Sequence, residues 1–256
     1  MCLLLLALQA HPVYKLVIAA NRDEFYERPT APAGFWDESP DILAGRDLRA
    51  GGTWFGITRK GRIGAITNYR DPASLKSAAP SRGRLVSDFL IGEEDPQAYL
   101  SRLALNPGNY NGFNLVVGAG DRLCWYSNRG HGIRPLLPGI YGLSNHLLDT
   151  PWPKLSRGKA SLRRILSNNP HPSSEAIFDV LLDPSVAADD RLPATGVGIE
   201  WERILSPIFI ASPSYGTRSS TILFIDREDR VAFLERTYGS TPGQHRDLAF
   251  EFMIQK

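Results

Sequence analysis

A cysteine at the second position of a chain has a chemistry that a cysteine elsewhere lacks. Removal of Met1 would leave Cys2 carrying a thiol and a free α-amine on one residue. An α-amine titrates near about 7.7–8.0, close enough to neutrality to accept the thiol proton, so nucleophile and base travel together. The resulting thiolate attacks amide or thioester carbonyls. Position alone does not establish this chemistry, because many chains carry a small second residue. Other residues of suitable type follow. Asn21-Arg22-Asp23-Glu24 ends an apolar run; Arg22 would favour the thiolate, and Asp23 would hold the α-amine through a charge-assisted hydrogen bond. Taken alone, that tetrad is equally a surface ion-pair cluster and turn. Asn68 and Asn145 each close a short apolar strand, and their side-chain amides are suitable donors to an oxyanion. Singly, each is the ordinary turn residue after a strand. Arg218 is a further cation at a strand end, and Cys124, within Leu123-Cys124-Trp125-Tyr126, reads as core.

Other chemistries find little support. There is no Gly-x-Gly-x-x-Gly, phosphate loop, His-Glu-x-x-His or Gly-x-Ser-x-Gly. His11, His131, His146, His171 and His245 show no ligand spacing and read as surface or loop residues, so neither a metal nor a cofactor is expected. The 29 basic and 27 acidic side chains are mixed along the chain with a net charge of +2, which calls for no nucleic-acid partner. Two cysteines without a Cys-x-x-Cys suit a reducing cytoplasm. The opening Leu3–Leu8 run lacks a basic flank and is short, so it reads as a buried strand, not a secretory segment. No other stretch approaches the roughly 18 apolar residues needed to span a bilayer.

The elements that must position these residues follow from periodicity. Leu3 to Leu8 and Val13 to Ala20 read as a buried hairpin, and antiparallel pairing would place Asn21-Arg22-Asp23-Glu24 beside Cys2. The stretch with Pro29, Pro32 and Pro40 reads as a loop. A second hairpin runs from Gly51-Gly52-Thr53-Trp54-Phe55-Gly56 through Lys60-Gly61 to Ile63–Thr67. Helices are predicted after Pro80-Ser81 and Asp95-Pro96, and over 154–166 and 174–182. Strands are predicted at 113–117, 123–126, 140–144, 208–211, 219–225, 231–235 and 249–254. With 43% hydrophobic and 22% charged residues, no repeat and no linker, residues 1–256 read as one globular domain. Hairpins in succession with grouped helices predict an α+β fold with antiparallel or mixed sheets.

Met1-Cys2, Asn21-Arg22-Asp23-Glu24-Phe25, Arg28-Pro29, Gly45-Arg46-Asp47, Gly51-Gly52-Thr53-Trp54-Phe55-Gly56 and Thr67-Asn68-Tyr69-Arg70 together resemble the Asn-Arg-Asp-Glu family, also called the transport and Golgi organisation family. The likeness extends through Asn111-Gly112-Phe113-Asn114-Leu115, Gly142-Leu143-Ser144-Asn145 and Arg218-Ser219-Ser220-Thr221. More distantly, the order Cys2, Arg22, Asp23, Asn68, Asn145, Arg218 resembles the site of the choloylglycine hydrolase and penicillin V acylase group. That resemblance implies a four-layer αββα sandwich of two mainly antiparallel sheets and a cysteine N-terminal-nucleophile amidohydrolase or acyltransferase. Its substrate would be a small amide or acyl thioester, with the oligomeric state left open. The chain departs from that group in having Arg22 and Asp23 adjacent, so the two side chains must take opposite faces of a continuous strand, and Glu24 is placed to take over one role. Association of the family with haem, acyl-CoA and lipid handling implies the other reading, a non-catalytic binding or trafficking protein. Haem enters only under that reading.

Overall fold

The computed structural model describes residues 3–239 and 243–255. In chain order the strands and helices are β1 (Leu3–Leu8), β2 (Tyr14–Phe25), β3 (Thr30–Trp36), β4 (Ser39–Asp47), β5 (Phe55–Thr58) and β6 (Arg62–Asn68), then α1 (Gly83–Ile91) and α2 (Pro96–Ala104). There follow β7 (Phe113–Ala119), β8 (Arg122–Ser127), β9 (Ile133–Pro135) and β10 (Gly139–Leu143), then α3 (Pro153–Asn168), α4 (Ser174–Leu181) and α5 (Ile199–Leu205). The chain closes with β11 (Tyr215–Asp226), β12 (Arg230–Tyr238) and β13 (His245–Met253).

These strands form two antiparallel sheets, in the order β10-β1-β2-β11-β12-β13 and β3-β4-β5-β6-β7-β8-β9. β1 is apolar throughout because both of its faces are covered. Leu4, Leu6 and Leu8 join the larger core cluster, while Leu3, Leu5 and Ala7 pack with Leu155, Leu162 and Phe178 from α3 and α4. The sheets meet through contacts such as Phe55 stacked on Phe233, 5.7 Å between ring centroids. On the far side of the second sheet, Val86 and Leu90 of α1 sit against Gly64 and Gly56, where a Cβ would collide with them. The result is the expected αββα order of layers.

Two expectations need correction. The proline-rich stretch is not a loop but the hairpin of β3 and β4. β3 is an edge strand, and Pro32 falls in the register shift between Ala31 and Gly34, where a missing backbone donor breaks no ladder. Conversely, residues 208–211 form no strand and carry only the isolated bridge Ala211↔Gly216. The short β9 and α5 were not legible, having too few residues to show a period.

Candidate active site

β1 and β2 pair with Leu3 opposite Asn21, so the Asn-Arg-Asp-Glu tetrad lies at the start of the described chain. Cys2 itself lies outside the described residues. Along β2 the side chains alternate. Leu16, Ile18 and Ala20 face the space between the sheets, and Arg22 and Glu24 continue that row into a cavity of about 300 Å³. Asn21 and Asp23 turn to the helical layer. Asn21 Nδ2 donates to the carbonyls of Leu181 and Ile208, at 2.8 and 2.9 Å, and its Oδ1 accepts from Ser220 Oγ. Asp23 Oδ1 accepts from Thr217 Oγ1 at 2.6 Å. The opposite directions expected for Arg22 and Asp23 are therefore observed, and Glu24 shares the cavity with Arg22.

Arg22 is only 4% exposed. Its guanidinium carbon lies 4.3 Å from the centre of the Trp54 ring, and Nη1 has no hydrogen-bond partner among the described residues. Burial pushes the guanidinium below its ordinary pKa, Glu24 pulls it back up, and the neighbouring Arg218 and Arg28 push it down again. Glu24 and Asp47 both take Arg28 as their counter-ion. Arg28 Nε and Nη2 reach Asp47 Oδ2 at 2.9 and 2.7 Å, and Glu24 Oε2 lies 3.8 Å from Nε.

Arg218 is the extra residue of a β-bulge. β11 pairs with β2 as Thr217↔Asp23 and then Ser219↔Arg22, leaving Arg218 unmatched and re-aimed. Its Nη1 donates to the carbonyls of Phe25 and Arg28, at 3.0 and 3.1 Å, so it braces the turn after the tetrad and acts on Arg22 through charge.

The two asparagines differ. Asn68 lines the cavity, and its side-chain amide makes no hydrogen bond among the described residues. Asn145 lies behind it, with Nδ2 donating to the Asn68 carbonyl at 2.9 Å, which leaves one amide hydrogen of Asn145 for any other partner. Arg70 binds Asn145 through its backbone N–H (2.7 Å) and Nη2 (3.4 Å), while Nη1 pairs with Glu202 at 2.6 Å. Arg70 also lies over Trp152, and Tyr69 is hydrogen-bonded to His146, whose imidazole burial holds below its usual pKa. The Thr67–Arg70 and Ser144–His146 segments thus close one sheet on the other.

The structure brings Arg22, Asn68 and Arg218 to one end of the sandwich, with Asp23 and Asn145 buttressing from behind. Sequence reasoning missed Trp54, Arg82 and Glu202. Trp54 sat inside a quoted motif, and its stacking on a cation was the missing step; Glu202 and Arg82 carried no signal. Among the described residues no group of three or more His, Cys, Asp or Glu side chains is arranged to hold a metal ion.

Two antiparallel sheets between helical layers give the chain the fold of an N-terminal-nucleophile-hydrolase-like sandwich. The C2A mutant of a conjugated bile acid hydrolase from Clostridium perfringens shares this fold, with a TM-score of 0.50 and 8% identity over 97% of this chain and 92% of that one. The chain belongs to the Transport and Golgi organisation 2 family, whose sequence model matches residues 1–240. It is 37% identical to the Transport and Golgi organization 2 homolog of Mus musculus and 36% identical to the Transport and Golgi organization protein 2 homolog of Homo sapiens, each over the full length of both chains.

Proposed function

We propose that this chain is a cysteine N-terminal-nucleophile amidohydrolase or acyltransferase acting on a small amide or acyl thioester. One observation carries the reading: Leu3, the first described residue, pairs with Asn21, and the next residue of β2, Arg22, lines a cavity together with Asn68. The reading requires removal of Met1 and a Cys2 side chain on the face shared by Leu4 and Arg22. The α-amine of Cys2 takes the thiol proton, and the thiolate attacks the carbonyl carbon. Asn68 and the remaining amide hydrogen of Asn145 receive the oxyanion, while Arg22 and Arg218 stabilise negative charge. The α-ammonium then protonates the departing amine or thiol. Water, or an acyl acceptor, cleaves the acyl-cysteine and regenerates the thiol. Asp23 orients the amine.

The likeness of fold to a conjugated bile acid hydrolase supports this reading. A reducing cytoplasm, which keeps Cys2 a thiol, is the compartment it fits. Intact mass will read whether Met1 is removed. With a panel of amide and acyl-thioester substrates, Cys2→Ala should abolish turnover and Asn68→Ala should lower it by roughly a hundredfold or more. Turnover unchanged in Cys2→Ala would overturn the reading, as would retention of Met1 in active protein.

A further inference from the structure

The cavity contains more positive character than the chemistry at Cys2 uses. Three guanidiniums (Arg22, Arg28 and Arg82) and two carboxylates (Glu24 and Asp47) line it, and Arg28 already pairs with both carboxylates. Its opposite wall is the beginning of α1, where Ser81, Arg82 and Gly83 line the same space. This nine-residue helix has no side-chain cap and no acidic residue in its first turn, so its positive end opens onto the cavity unneutralised. Arg82 is steadied by Nη1 donating to the Gly112 carbonyl at 2.8 Å. Across the cavity lies Arg22, more than nine-tenths buried, whose Nη1 has no hydrogen-bond partner among the described residues. A buried guanidinium nitrogen without an acceptor is costly, and an uncapped helix N-terminus lining the same cavity supplies donors for the same ligand.

The approach of α1 is built in. A Cβ on Gly52 would lie 2.5 Å from the Gly83 carbonyl carbon, and Thr53 N–H donates to the Gly83 carbonyl at 3.2 Å. The Gly51-Gly52-Thr53-Trp54 motif therefore seats both walls: glycine admits the helix start, and Trp54 carries Arg22.

We propose that this cavity holds an anion-binding subsite, framed by Ser81, Arg82 and Gly83 at the N-terminus of α1 and faced by Arg22. It takes an oxyanion group, carboxylate or phosphate, carried by the acyl substrate or its leaving group. The inference deepens the hydrolase reading by naming a substrate class, yet the subsite can be tested without catalysis. Inorganic phosphate and acetate are titrated separately, at constant ionic strength, into full-length Cys2→Ala protein labelled with ¹⁵N. One of them should shift the Gly83 backbone amide and the Arg22 guanidinium resonances saturably; which binds tighter identifies phosphate or carboxylate as the preferred group. Arg82→Gln should weaken that binding by tenfold or more, and Ser81→Asp, which places a carboxylate at the helix start, should abolish it. In wild-type protein, Arg82→Gln should lower kcat/KM at least tenfold for acyl substrates bearing the preferred group and by less than twofold for neutral ones. Phosphate and acetate that leave these resonances unmoved, or bind Ser81→Asp as well as the parent, would overturn the subsite. Saturable binding in a protein that turns over no acyl substrate would leave the subsite standing and remove the hydrolase reading instead.

Discussion

Two buried ionisable side chains show how the site treats charge. Arg22 remains cationic against an aromatic face, because even a large downward push leaves a guanidinium protonated at neutral pH. Glu235, on the inter-sheet face of β12 and 1% exposed, is in the opposite position. Its carboxyl accepts from the Ala33 N–H at 2.6 Å and from Thr221 Oγ1 at 3.4 Å, tying β3 of one sheet to β12 of the other. Burial pushes its pKa up to about 7, with Ala33, Thr221 and the charge of Arg22 only partly opposing. A carboxyl raised in this way is protonated in the folded protein and ionised in the unfolded chain between its usual 4.5 and about 7. Its contribution to stability is therefore greatest below pH 4.5 and declines as pH rises to about 7. The loss is on the order of 3 kcal/mol at one site of this burial. Glu235→Gln keeps the acceptor and removes the titration. Its unfolding temperature relative to wild type should rise between pH 5 and pH 8; a difference independent of pH would show that Glu235 does not titrate in that range.

At the scale of elements, local backbone devices matter more than propensity. The bulge at Arg218 turns one cation out of the β11 alternation and over the end of β2. Gly45 plays the reciprocal part on β4, since a Cβ there would lie 2.4 Å from the Trp54 ring. Trp54 is 6% exposed and is held against the Arg22 guanidinium. Gly45→Ala should thus destabilise the protein by about 1–3 kcal/mol through overpacking. In urea the midpoint should fall with an unchanged slope, and Trp54→Phe in the same background should recover part of the loss. Both devices sit inside motifs that were visible as residue strings. What each string was for depended on the neighbouring strand.

Across the whole molecule, the site depends on how the two sheets are clasped. Thr67 Oγ1 donates to the Ser144 carbonyl at 2.6 Å, Asn145 to the Asn68 carbonyl, and Arg70 joins Asn145 to Glu202 of α5. Glu202 Oε1 also accepts from the N–H and hydroxyl of Thr195, so this buried carboxylate is satisfied on both oxygens. Removing one partner of a buried ion pair strands the other charge. Glu202→Leu should therefore cost about 3–5 kcal/mol, and the double variant Arg70→Met, Glu202→Leu should cost well under the sum of Arg70→Met and Glu202→Leu made singly. A double-mutant cycle by chemical denaturation reads this coupling; additive costs would show that the pair is not energetically linked.

Leu3–Leu8, the pattern of β2 and the proline-started helices were determined by local chemistry: side-chain period, missing donors and caps act within a few residues and can be read from one string. The same rule separated Arg22 from Asp23, because strand alternation needs no partner. The proline-rich stretch was misread because an edge strand tolerates proline, and only the finished sheet makes an edge. Asn68 and Asn145 looked equivalent as strand-ending amides; packing set one on the cavity and committed the other to the first one's carbonyl. Glu202, Arg82 and Glu235 were silent because a charged residue in sequence carries no mark of burial or of the cavity it faces. For Glu202 and Glu235 the deciding partners, Arg70 and Ala33, lie more than a hundred residues away and meet them only once the sheets have closed.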